Sequence, residues 1–114
     1  MIVATTPFVA GHRTVESKGH VYGLVVRSRG LGGNLAAAFR SLGGGEIKEY
    51  TELLEDTRRQ AIDRMVQNAT LMGGNAVISM RFDSSEMAST MTEIVAYGTA
   101  VVVAPDVAAP QASE

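Results

Sequence analysis

Residues 44–103 run through two hydrophobic periods, and the change of period marks the elements. From Glu49 to Met72 apolar residues recur at helical spacing. Leu54, Ala61, Met65, Ala69 and Met72 fall three, four or seven apart, and Ile62 and Val66 widen the stripe. The polar face is ordered by sign. Glu49, Glu52, Glu55 and Asp56 lead, and Arg58, Arg59 and Arg64 follow. Acids in the first turns complement the helix dipole, and Glu55 with Arg59 is a favourable pair one turn apart. Gly73 is the expected left-handed cap. Past Gly73-Gly74 the pattern becomes β-like. Ala76 to Asp83 reads as a strand, Ser84 to Ser89 as a polar turn, and Thr90 to Val103 as a longer strand.

Upstream the signals are shorter. Ile2 to Thr5 is a β-type run stopped by Pro7, Arg13 to Glu16 reads as a second short strand, and Val21 to Ser28 as a third, Val-rich one. Gly30-Leu31-Gly32-Gly33 breaks that strand. Asn34 then caps a short helix ending near Leu42, before Gly43-Gly44-Gly45. Residues 104–114, mostly Ala, Pro and acid, have little surface to bury. They are expected to trail as a disordered tail behind a domain of residues 1–103.

The last strand is apolar on both sides. Val95, Tyr97, Val101 and Val103 share one face; Ile94, Ala96, Gly98, Ala100 and Val102 share the other. One long helix covers one face of a small sheet. The small residues Ala96, Gly98 and Ala100 suit helix approach, which makes the Val/Tyr side the candidate interface. It is covered by the short helix, by another subunit, or by a sheet curled on itself within one chain. The pattern therefore predicts a homo-oligomer.

Composition sharpens this picture at a few points. A chain of 114 residues suits one domain, and with 46% apolar but only 5% aromatic residues its core is built from aliphatic side chains. The net charge of −2 comes without a basic stripe, so the electrostatic footprint of a nucleic-acid binder is missing. With no Cys, disulfides, thiolate metal sites and thiol catalysis are excluded, and a reducing cytoplasm fits. The first seven residues do not read as a signal peptide, and no apolar run is long enough for a membrane span.

Several segments together resemble the YbjQ-like family, which carries a heavy-metal-binding label. They are Thr5-Thr6-Pro7, Val25-Val26-Arg27-Ser28-Arg29-Gly30, the run from Gly44 to Glu55, Gly73-Gly74-Asn75-Ala76-Val77, Arg81 to Glu86, and Thr92 to Val101. The resemblance spans residues 2–103. It implies an α+β, two-layer β-α-β-β sandwich like a dodecin subunit. Its small, mostly antiparallel sheet carries one long and one short helix. It further implies a ring-shaped homopentamer, a cytoplasmic bacterial or archaeal setting, and a family of undetermined function.

Candidate chemistry is sparse. His12 and His20 are the only histidines, with Glu16 midway. In a regular strand positions 12, 16 and 20 point to one side but lie about 13 Å apart per step, so a divalent metal there needs a bend or a neighbouring subunit. Where His20 stands the family usually has an apolar residue, and the alternative is two edge histidines. Asp83, Glu86 and Glu93 lack the ligand rhythm of an all-oxygen loop. Arg27 and Arg29 precede Gly32, Gly33 and a helix start, a pattern that can hold an anion on backbone N–H groups. It lacks the third Gly of a dinucleotide loop and the Lys-Ser/Thr of a Walker loop, and the alternative is a strand-to-helix turn. No Ser has an evident His partner, and Tyr50 and Glu52 read as packing and dipole-complementing residues. The favoured expectation is a structural or ligand-binding oligomeric module without a nameable catalytic centre. The alternatives are a heavy-metal-binding protein, and a small-molecule carrier or enzyme using the Gly-rich turn and subunit clefts.

Overall fold

A computed structural model describes residues 1–28, 48–87 and 91–106. Its elements are β1 (Ile2–Val3), β2 (His12–Ser28), α1 (Lys48–Leu71), β3 (Ala76–Met87) and β4 (Met91–Pro105). They form an α+β fold with one open sheet in the order β1-β3-β4-β2. The pairings β3–β4 and β2–β4 are antiparallel, and only the two-residue β1 runs parallel to β3. The short helix expected from Asn34 to Leu42 lies outside the described residues.

The helix follows its sequence stripe from Ala61 onward, whereas Leu54, expected at its start, is exposed and Thr57 is buried instead. Thr57, Ala61, Met65 and Ala69, one turn apart, are almost fully buried. They pack on Val21 and Val25 of β2, Val77 and Met80 of β3, and Ile94, Ala96 and Ala100 of β4. The closest approach is to β2 at Gly23 rather than to β4. A Cβ there would stand 2.9 Å from the carbonyl carbon of Arg64 and overlap the backbone of Ala61 and Met65. On β4, a Cβ at Gly98 would instead meet β3, at 2.8 Å from the Ile78 carbonyl. The helix ends in a Schellman cap. Gly73, at φ +89°, donates to Thr70 O, and Gly74 donates to Ala69 O, both at 2.9 Å.

The two short strands expected from Arg13 to Glu16 and from Val21 to Ser28 are one strand of 17 residues. Bulges at Val15 and Lys18 interrupt its register against β4, and Gly19, next after the second, takes φ +106°. The bulges scramble the alternation, which is why the sequence pattern divides there. β3 likewise continues to Met87, through serines expected in a turn, and β4 runs two residues past Val103.

A second bulge system shapes β3. Ser79 and Met80 together oppose Gly98, and Ser79 takes φ +55°. The N-terminal segment docks there: Ser79 N–H donates to Thr6 O, Met80 N–H to Ala4 O, and the Arg81 guanidinium to Thr5 O. Beyond β1 this segment crosses the sheet face opposite the helix. Val9 there covers Ala76, Val101 and Val103. The Asn75 amide closes this end by donating to Val103 O and accepting from Val103 N–H, at 3.0 and 2.8 Å.

Candidate functional site

Residues directly opposite each other in an antiparallel sheet share a face. Register therefore places every candidate side chain. His12 opposes Pro105, Glu16 opposes Val102, and His20 opposes Thr99. His12 and His20 lie on the face away from α1, whereas the bulges turn Glu16 to the helix side. There Glu16 pairs with Lys18 at 3.0 Å, and Lys18 in turn lies against Gly73 at the helix end. Pro105 and Thr99 are six residues apart on β4, so the two histidines are separated by about 20 Å. His12 Nδ1 donates to Ala10 O at 3.0 Å, and His20 stacks on Tyr22 with ring centroids 5.5 Å apart. Among the described residues no three His, Asp or Glu side chains converge as metal ligands. Within one chain, His12, Glu16 and His20 do not fit a common ion.

Arg27 has a different occupation. Its Nε donates to Thr57 Oγ1 at 3.2 Å, and its guanidinium lies 3.6 Å from the Asp56 carboxylate. Thr57, only 1% exposed, in turn donates its hydroxyl hydrogen bond to Leu53 O at 2.8 Å. The arginine thus latches the end of β2 to the first half of α1. Arg29, Gly32 and Gly33, the rest of the anion-binding candidate, lie outside the described residues. Arg64 and Asn68 make comparable ties farther along, donating to the β2 carbonyls of Leu24 and Tyr22 at 2.6 and 2.8 Å. These occupy acceptors on an edge strand that would otherwise invite pairing.

The distinctive surface is the sheet face away from α1. Register sets rows across β3, β4 and β2: Ile78–Thr99–His20, Arg81–Tyr97–Tyr22, Asp83–Val95–Leu24 and Ser85–Glu93–Val26. Among the described residues, Val9 covers this face at the end near Val101 and Val103. Over the remaining rows Tyr22 is 50% and Val26 46% exposed, and Leu24, Val95 and Tyr97 are half-buried. Polar groups rim it: Ser85 donates to the Glu93 carboxylate, and Asp83 accepts from Ser84 N–H. The result is an apolar strip along β2 and β4 with two cross-strand tyrosines, flanked by Arg81, Asp83 and Ser85 of β3.

A second apolar surface was not singled out by sequence reasoning. Val66, Gln67, Thr70 and Leu71 line a shallow open groove of about 370 Å³ on the last two turns of α1. Leu71 is 85% exposed. The available signal was angular: Leu71 lies about 200° round the helix axis from Ala69.

A small open-faced α+β module is the class that this fold and surface define. The chain belongs to the YbjQ family, described as "Putative heavy-metal-binding", whose model matches residues 1–104. It is 61% identical over 105 residues to a UPF0145 protein of Bradyrhizobium sp., covering 92% of this chain and 95% of the relative. A UPF0145 protein of Sulfurisphaera tokodaii is 59% identical over 103 residues, covering 90% of each. A crystal structure of a DUF74-family protein of unknown function from Pediococcus pentosaceus superposes with a TM-score of 0.59. At 14% identity it covers 91% of this chain and 98% of that one, a likeness of fold alone. No helix among the described residues is long and apolar enough to cross a membrane.

Proposed function

We propose that this chain is the subunit of a small cytoplasmic homo-oligomer, a ring of five, that serves as a structural or ligand-binding module. The observation that carries this reading is the open sheet face of Tyr22, Leu24, Val26, Val95 and Tyr97, apolar and uncovered among the described residues. Strand length supports it. At about 3.3 Å per residue β2 extends roughly 56 Å, against about 36 Å for α1, so one helix is too short to cover even one face of the sheet. Native mass spectrometry of untreated protein tests the proposal. An oligomer at micromolar concentration is expected, and a 12 kDa monomer alone would refute it.

The family description supports a second reading, a heavy-metal site. His12 and His20 share the open face but are far apart along it, so such a site would draw its ligands from two subunits. The same spectra report any retained metal or small molecule, and a co-purifying ligand would favour a carrier.

A further inference from the structure

We propose that Arg64 and Asn68 hold the edge of β2 closed against pairing with β2 of a second copy of this chain. The edge is then a latent interaction surface that α1 keeps occupied.

β2 is the last strand in the sheet order, and among the described residues no strand flanks its outer side. From Gly19 to Val26 it carries no Asp, Glu, Lys, Arg or Pro. From Gly19 to Ser28 its register against β4 runs without a bulge. Charges, prolines and bulges are the usual means of blunting an edge, and this stretch has none of them. The run Val21-Tyr22-Gly23-Leu24-Val25-Val26 has the composition of a self-pairing strand: mostly β-branched and aromatic residues, no charge and one glycine. Pairing it with a second copy of itself opposes no like charges.

The helix supplies what the strand lacks. Alternate residues of an edge strand turn their backbone groups outward. Tyr22 and Leu24 are two such residues, and their carbonyls accept from the Asn68 amide at 2.8 Å and the Arg64 guanidinium at 2.6 Å. Spacing is what lets both donors fit. Four residues of helix advance about 6.0 Å, and two residues of strand about 6.6 Å. Helix numbers rise as strand numbers fall, so one row of α1 side chains stands where the N–H groups of a neighbouring strand would. Arg64 and Asn68 are exposed, and each directly precedes a buried residue, Met65 and Ala69. They therefore flank the packed stripe on the side of the β2 edge. Gly23, between the two carbonyls, brings the helix backbone close enough for both side chains to reach.

The test compares full-length wild type with Arg64→Ala combined with Asn68→Ala, by light scattering at one concentration and by amide exchange. The double variant should show at least twice the average mass of wild type, whatever assembly wild type itself forms. The outward N–H groups of Tyr22 and Leu24 should gain at least tenfold protection as a second strand covers them. Arg64→Lys, which keeps a donor, should match wild type. Asn75→Ala, a destabilising change away from this edge at Val103, should leave the mass unchanged. Arg64→Met with Asn68→Leu keeps apolar volume without the donors, and replaces a double variant that fails to fold. An unchanged mass in the folded double variant overturns the proposal. A mass rise without protection at Tyr22 and Leu24, or an equal rise in Asn75→Ala, overturns it as well, since either reports general destabilisation. Association of Arg64→Lys to the level of the double variant does so too, because the donor would then be irrelevant.

Discussion

Replacing Gly23 by Ala should be the most damaging single-methyl change in the sheet. Gly23 lies on β2 directly under the middle of α1, where a Cβ would press on the backbone of Ala61, Arg64 and Met65. Backbone cannot rotate aside as a side-chain tip can, so the helix must lift or β2 must bend. Either movement opens the contacts of Ala61, Met65 and Ala69, each with no exposed surface. It also stretches the bonds from Arg64 and Asn68 to the carbonyls on either side, those of Leu24 and Tyr22. Inserting one methylene into a packed core costs about 1–3 kcal/mol, and a clash with rigid backbone belongs at the upper end. For a domain near this size about 3 kcal/mol corresponds to roughly 10–20 °C in melting temperature. Thermal melts followed by circular dichroism, at matched protein concentration because assembly shifts the midpoint, measure it. Gly11→Ala is the control: Gly11 has φ +74° but open space around it, so it reports the backbone strain alone, about 1 kcal/mol. A Gly23→Ala protein melting no lower than Gly11→Ala would show that the helix is not seated on Gly23.

Asn75→Ala should cost about 1–3 kcal/mol in urea unfolding, since it leaves both backbone groups of the buried Val103 without their partner; an unchanged midpoint would count against that pairing. Ser79→Gly should raise the melting temperature by a few degrees, because a serine at φ +55° carries roughly 1 kcal/mol of strain that glycine lacks; a fall would mean that the hydroxyl has a role of its own. Deleting residues 107–114 should leave stability and assembly unchanged, whereas cutting after Val103 also removes the pairing of Ala104 and Pro105 with Arg13 and His12 and should lower the midpoint. Equilibrium dialysis with zinc at neutral pH should give weak or sub-stoichiometric binding. One tightly held zinc per subunit, lost in His20→Ala, would replace the module reading with the metal-binding one.

The helix with its glycine cap and the last strand were legible because each keeps one period throughout. Ala61, Met65 and Ala69 repeat every turn, and Gly73 ends the pattern where the Schellman bonds form. The open face was legible too, from the apolar residues on both sides of β4. What the pattern concealed lies at the bulges. Val15 and Lys18 each add a residue without a partner, so a single strand reads as two fragments. Counting every second residue then puts His12, Glu16 and His20 on one side, although Glu16 is on the other. The cover supplied by Val9 was hidden for another reason: it comes from an irregular segment held by backbone bonds at Ala4 and Thr6, which leaves no periodic trace.

The same geometry ties the two functional readings to each other. His12 and His20 stand on the sheet face that a neighbouring subunit would cover in the oligomer, at either end of a stretch about 20 Å long. A lone histidine is a poor site for a borderline metal, and among the described residues neither belongs to a group of three possible ligands. As far as the described residues go, a site built on these histidines is completed by side chains from a neighbour. Metal retention would then be conditional on assembly, and metal would in turn favour the assembled state, because an ion bound only across the interface stabilises only the oligomer. A variant that is monomeric through Tyr22→Asp, with both histidines intact, should accordingly lose whatever metal the oligomer holds. A monomer that kept it would place the site elsewhere in the chain and separate the family's metal label from the open face altogether.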